Sequence, residues 1–183
     1  MKKSSIILLL SIGLLMFSCS KNAKNENDAS SADYSKGQSL VSDDVSQKNI
    51  LQIAIGSADH TTLVAAVQAA DLEDVLANAG PLTVFAPTNA AFDKLPEGVV
   101  ADLLKPENKA TLANIITYHA APGTYKGDMI SRITGIGQAT GDKVAVEIID
   151  GETFINGAKI LATINASNGV VHVIDGVLLP PEN

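Results

Sequence analysis

The side chains best suited to chemistry in this sequence are His60, His119, His172 and the lone cysteine, Cys19. Zinc needs imidazole, thiolate or carboxylate clustered at local spacings. The histidines are widely separated, so neither a metal site nor a cofactor is expected. His60, beside Asp59, reads as the polar start of a helix. His172 lies in a strand-like run where Val170 and Ile174 share its face, so it reads as a hydrogen-bonded core residue. Asp175, three positions further, falls on the opposite face, and the two cannot form a strand-borne dyad. Standing before Gly176, Asp175 instead reads as the fixer of a turn or bulge. The G-x-S-x-G nucleophile elbow and the G-x-x-x-x-G-K-[ST] phosphate loop are both absent. Gly135-Ile136-Gly137 lacks the following helix that a dinucleotide site requires. The residues therefore read as non-enzymatic, with an unmarked hydrolase as the third choice of function.

Cys19 carries a different chemistry. Lys2 and Lys3 precede an apolar run, Ile6 to Phe17, too short to span the roughly 30 Å of a bilayer core. The run ends in Ser18-Cys19, which resembles a bacterial lipobox, so Cys19 is the expected lipidation site. More than one acyl chain on such a residue would anchor stably where a single chain binds only marginally. Residues 1–19 read as a lipoprotein signal peptide. Residues 20–46, rich in Ser, Asn, Lys, Asp and Glu, cannot bury enough apolar surface to order, and read as a disordered tether. Residues 47–183 remain as one domain. The expected location is exported and anchored to the cell envelope, at the outer membrane, on its surface or periplasmic face. The export signal makes the sequon Asn165-Ala166-Ser167 a chance match, and a lone cysteine excludes an internal disulfide.

Charge and aromatic content narrow the partners. The chain carries a net charge of -7, all of it on the domain, and lacks a basic cluster. It is a poor candidate for nucleic acid. It has no Trp, and the domain's tyrosines are Tyr118 and Tyr125, too few for a polysaccharide stacking platform.

The elements that would position these residues are legible in outline. Leu63, Val67 and Ala70, then Leu72, Val75, Leu76 and Ala79, draw an apolar stripe broken at Asp71, predicting two short helices closed by Gly80-Pro81. Leu82 to Ala86 reads as a strand, held extended by Pro87. Thr88 or Asn89 then caps a turn through Ala90, Ala91 and Phe92. Val99, Val100, Leu103 and Leu104 mark a helix. Pro106 starts another, with Leu112, Ile115 and Ile116 inward. Val144, Val146 and Ile148 alternate as a strand. Turns at Asp150-Gly151 and Asn156-Gly157 enclose a short strand, Glu152 to Ile155, and a third turn is expected at Asn168-Gly169. Ile160 to Ile164 and Val170 to Leu179 supply long strands. Helices first and antiparallel strands after make an α+β domain.

Two segments in this pattern, TVFAPTNAAFDKLP (Thr83 to Pro96) and NGVVHVIDGVLLPP (Asn168 to Pro181), resemble the signature boxes of the fasciclin domain. Tyr118-His119 stands where that family has its Tyr-His pair, and FINGAKILATINASNGVVHVID (Phe154 to Asp175) is similar to its closing hairpin and last strand. The resemblance implies a fasciclin-like fold: an antiparallel β wedge or sandwich with a cluster of short helices, mainly in the N-terminal half. It also implies a secreted or surface module for adhesion or for binding protein or matrix, rather than an enzyme. The signature positions are Thr83, Phe85, Pro87, Thr88, Asn89 and Phe92 in the first box and Asn168, Gly169, His172 and Asp175 in the second. They stand for the fold first and a binding site second. In animal members the Tyr-His region is implicated in binding integrin-type receptors, so the resemblance makes Tyr118 and His119 a candidate binding surface. The competing reading is that the ring packs and the imidazole satisfies a backbone group. Ala120 and Ala121 stand where the family's active version has bulky aliphatics, and Gly176 where members often have a basic residue. The implied partner is a protein, matrix or cell-surface ligand, with the membrane engaged through the N-terminal lipid. The alternative is a periplasm-facing structural or accessory subunit docked onto an envelope complex.

Overall fold

The break expected at Asp71 is where the chain turns. Its φ of 54° lies in the left-handed region that ends a helix. In the computed structural model, which describes residues 47–78 and 80–181, α2 (Thr61–Ala69) stops just before it and α3 (Glu73–Asn78) starts just after. Ahead of them α1 (Ile50–Ile55) opens with a capping box, in which Asn49 accepts from Gln52 N and the Gln52 side chain accepts from Asn49 N. The signal peptide, Cys19 and the tether fall on residues 1–46, outside the described residues, as does Ala79. Leu76 is buried as expected, but Val75 is exposed, because α3 is only six residues long and packs one face.

β1 (Leu82–Pro87) is buried at every position, the mark of a strand covered on both faces. Thr88, with its side chain accepting from Ala91 N, caps α4 (Asn89–Phe92). After α5 (Val99–Leu103), Pro106 starts a single 3-10 turn that leads into α6 (Lys109–Tyr118). In α6 Leu112 and Ile116 are buried and Ile115 is only half-buried. β2 (Ala120–Pro122) and β3 (Gly135–Gly137) are short. β4 (Lys143–Ile149), β5 (Glu152–Ile155), β6 (Ala158–Ala166) and β7 (Gly169–Ile174) follow. The tight turns at Asp150-Gly151 and Asn156-Gly157 form as read, with positive φ at all four residues.

The described strands make one seven-stranded sheet in the order β2-β1-β7-β6-β5-β4-β3. Its pairs are antiparallel except β1–β7, which runs parallel from Leu82↔Gly169 to Pro87↔Ile174. Alternation along these two strands divides the interior. Leu82, Val84, Ala86 and Val171 face a core shared with Leu51, Leu63, Val67 and Ile116 of the helices. Phe85 and Ile174 face a second core with Tyr118, Ile136, Val144 and Ile155. So the helices lie mainly in the N-terminal half, as expected, while that half also supplies β1.

Three sequence readings shift. The third turn is centred on Ser167-Asn168, and Gly169 is already the first residue of β7. β7 ends at Ile174 rather than at Leu179. Asp175 turns the chain there, with its N–H donating to Lys159 O (3.1 Å) and its Oδ1 accepting from Lys159 N (2.8 Å). This clasp adjoins the register shift between Ile160 and Ala162. Ile148 is exposed because β4 runs past the end of the core it covers.

Asn168 holds the junction together. Its Oδ1 accepts from Ile50 N (3.0 Å), its Nδ2 donates to Leu76 O (2.8 Å) and Ala77 O (3.2 Å), and its carbonyl accepts from Leu82 N (3.1 Å). A side chain at Gly169 would collide with the Leu82 backbone. Asn168→Ala strands three helix-terminal groups at about 1 kcal/mol or more each. Chemical denaturation is expected to register a loss of about 3 kcal/mol. Gly169→Ala should lose more, because a backbone clash has no flexible group to absorb it.

Candidate binding surface

The signature positions form a bonded interior. Thr83 Oγ1 donates to Gly123 O (2.8 Å) and accepts from Tyr125 N (2.9 Å). Asn89 serves α2 rather than its own helix: its Oδ1 accepts from Thr62 N (3.0 Å) and Thr61 Oγ1 (3.2 Å), and its Nδ2 donates to Ala58 O (3.0 Å). Pro87 is buried and Phe92 packs on the helical core. The two boxes also bond each other, through Thr88 N to Ile174 O (3.2 Å) and Lys94 Nζ to Asp175 O (2.6 Å). His172, 1% exposed, stacks on Phe85 with centroids 5.7 Å apart. Its Nε2–H donates to Tyr125 O (2.7 Å), which leaves Nδ1 to accept from the Thr163 hydroxyl (2.9 Å). The expected separation of His172 from Asp175 holds, since each has its own partners.

Tyr118 and His119 are both buried. The tyrosine hydroxyl accepts from Asn156 Nδ2 (3.0 Å), at the turn between β5 and β6. His119 Nε2 accepts from Leu178 N (2.9 Å), so its proton sits on Nδ1, which donates to Ile115 O (2.8 Å). The pair clamps α6 to the C-terminal tail and to a hairpin turn. As folded, neither ring offers a contact surface, and the packing reading describes them. His60 is also buried. Its Nδ1 meets Ser57 Oγ (2.7 Å) and its Nε2 has no partner of good geometry. No group of three His, Cys, Asp or Glu able to hold a metal occurs among the described residues. The helical core leaves an apolar cavity of only about 20 Å³.

Exposed apolar side chains are scattered, Ile55, Val75 and Leu179 among them, and also occur on β4, β6 and the 3-10 segment Gly127–Arg132. Met129, Leu161, Ile149 and Ile148 are 55%, 52%, 49% and 47% exposed. β5 pairs with β6 only at Phe154↔Lys159 and Ile155↔Ala158, so the two strands splay beyond that point. The opening is a groove of about 490 Å³ between β5, β6 and the 3-10 segment Gly127–Arg132, with Ile130, Thr153, Ile160, Leu161, Thr163 and His172 in its walls. Its lining is mixed, with Glu152 and Lys159 held to each other (2.6 Å) beside the apolar Ile130, Ile160 and Leu161 and the strand backbone. The sequence reading had no claim on this surface. Its one signal is Ile160-Leu161-Ala162-Thr163-Ile164, an apolar run without alternation that reads only as one of the long strands.

Burial holds His119 down to about 4 from its ordinary 6.5, against the pull of the Ile115 carbonyl. Burial also lowers His60, with Asp59 and the Ala86 backbone opposing, and lowers His172, with Tyr125 O opposing. All three stay neutral in the fold, whereas the unfolded chain takes up protons near 6.5. Their contribution is therefore complete above that pH and is lost as pH falls toward the folded values. For His119 the window from 6.5 to about 4 corresponds to about 3 kcal/mol. Denaturation across pH 7 to 4 should show this decline, and a His119→Gln chain should show a shallower one.

Comparison with known proteins fits this geometry. The fasciclin domain family model matches residues 58–180. The chain is 45% identical over 137 residues to Protein sll1483 of Synechocystis sp., covering 74% of this chain and 76% of that one. It is 40% identical over 113 residues to the cell surface glycolipoprotein MPB83 of Mycobacterium bovis, covering 61% of this chain and 49% of that protein. A FAS1 domain pair from the insect cell adhesion molecule fasciclin I shares its fold, with a TM-score of 0.64 over 73% of this chain and 51% of that one, at 17% identity. The two boxes, their parallel pairing and the matched family model lead to one conclusion: this chain belongs to the fasciclin domain family.

Proposed function

We propose that this chain is an exported, lipid-anchored and non-enzymatic module that mediates adhesion by binding a protein or matrix ligand. The carrying observation is how the side chains are used. The signature positions and the histidines serve the interior, while single apolar side chains on β4 and β6 and a groove of mixed lining between β5 and β6 lie open. Catalysis needs a base aimed at a reacting atom in a pocket; exposed apolar side chains beside open strand backbone favour contact with another macromolecule. Similarity to a cell surface glycolipoprotein and to a cell adhesion molecule supports the same reading. Lipidation at Cys19 and a tether over residues 20–46 would hold the domain off the envelope, facing outward. Ligand contact at Tyr118 and His119 themselves would require the clamp at Leu178 and Asn156 to open.

Cells making the chain should incorporate labelled fatty acid into it, and Cys19→Ala should abolish the label and release the protein. Protease added to intact cells should digest the domain, and those cells should adhere to protein- or matrix-coated surfaces more than Cys19→Ala cells do. Protection until lysis would replace the adhesion reading with that of a periplasm-facing accessory subunit.

A further inference from the structure

Among the described residues, the splayed junction leaves one edge of β6 without a strand partner past Lys159. β7 takes one side of β6 through Ala166↔Gly169, and β5 reaches only Ala158 and Lys159 on the other. Asn165 turns its carbonyl to that open side, where Gln47 Nε2 donates to it (3.1 Å). Residues two apart in a strand aim their backbone groups the same way, so Thr163 presents its amide and carbonyl there too. Leu161 adds an exposed apolar side chain at the bulge. The edge therefore repeats a donor at strand spacing beside apolar surface, with the Thr163 acceptor open and that of Asn165 held by Gln47, a pattern that an extended polypeptide backbone complements.

The charge is local and positive on a chain of -7. Lys126 is exposed, donates to Asn165 Oδ1 (3.1 Å), and forms no ion pair among the described residues. The neighbouring carboxylates are occupied, Glu152 by Lys159 (2.6 Å) and Asp128 by Arg132 (3.6 Å). An incoming carboxylate would meet Lys126 without displacing another.

We propose that the open edge of β6, from Leu161 to Asn165, docks an extended segment of a partner protein that adds a strand to the sheet and sets a carboxylate against Lys126. The inference rests on the reading of the chain as a binding module and names the partner's chemistry. Two peptides serve as probes for the isotope-labelled full chain: acetyl-Thr-Val-Asp-Val-Thr-Val-amide, and its counterpart with lysine for aspartate. In the free protein the Thr163 and Asn165 amides should exchange rapidly with solvent. Millimolar acidic peptide should slow them at least tenfold and the basic peptide should not. Lys126→Glu, an exposed change whose fold is checked by the remaining amide spectrum, should reverse that preference. Leu161→Lys should weaken acidic-peptide binding about tenfold. No slowing with either peptide overturns the proposal. So does protection already present in the free chain: if it grows with protein concentration, a second copy covers the edge, and if it is constant, the chain covers its own edge. Failure of the peptides while cells still adhere removes this edge alone, whereas loss of adhesion as well removes the module reading.

Discussion

β1 and β7 lie side by side in parallel with their side chains buried on both faces, and each face of that pair carries a separate core. A parallel pair needs a long crossover, and here the crossover is most of the molecule. α4, α5, α6 and five strands lie between Pro87 and Gly169. Both strands must therefore be fixed against each other with little freedom. Gly169 lets the backbones approach, and Asn168 ties that end of the pair to two helices. Asp175 and Lys94 bond across the other end. The helical layer and the strand layer are both hung on this pair.

Polar groups in such an interior are costly unless bonded, and the fold meets that cost with neutral side chains that reach backbone. Thr83, His119 and His172 each take one donor and one acceptor role, and the two imidazoles do so as opposite tautomers. A proton added to His119 would turn its accepting nitrogen into a donor facing the Leu178 N–H, whereas at His172 the Thr163 hydroxyl would have to turn from donor to acceptor. The arrangement that secures the core is thus also what ties its stability to pH.

The wedge between β5 and β6 has a simple origin. Asn156-Gly157 forces a two-residue turn, so pairing starts tightly at Ile155↔Ala158. Beyond Lys159 the bulge and the Asp175 clasp draw β6 toward β7, while β5 continues with β4. One strand cannot follow both neighbours, and the apolar residues past the split are left in solvent.

Much of this was legible in the chain itself. Strand and helix positions follow from periodicity, the two I′ turns from Asx-Gly, and the break at Asp71 from the interrupted stripe, because each depends on residues within a few positions. The boxes identified the fold through Thr83, Phe85, Asn168 and His172. What local pattern could not reveal was direction and depth. Nothing near Leu82 says that its neighbour is Gly169 and runs parallel, and nothing near Tyr118 says that Asn156 and Leu178 close over the pair. Ile160 to Ile164 reads as a long strand, yet among the described residues its far side has no strand partner because β5 departs. Sequence by itself determined most of the elements and much of their buried faces, since side-chain chemistry and spacing act locally, though not α1, β2 and β3 or the exposure of Val75 and Ile148. Only the tertiary structure decided which strands meet, which histidines are enclosed and where β5 and β6 part, since those depend on what arrives from far along the chain.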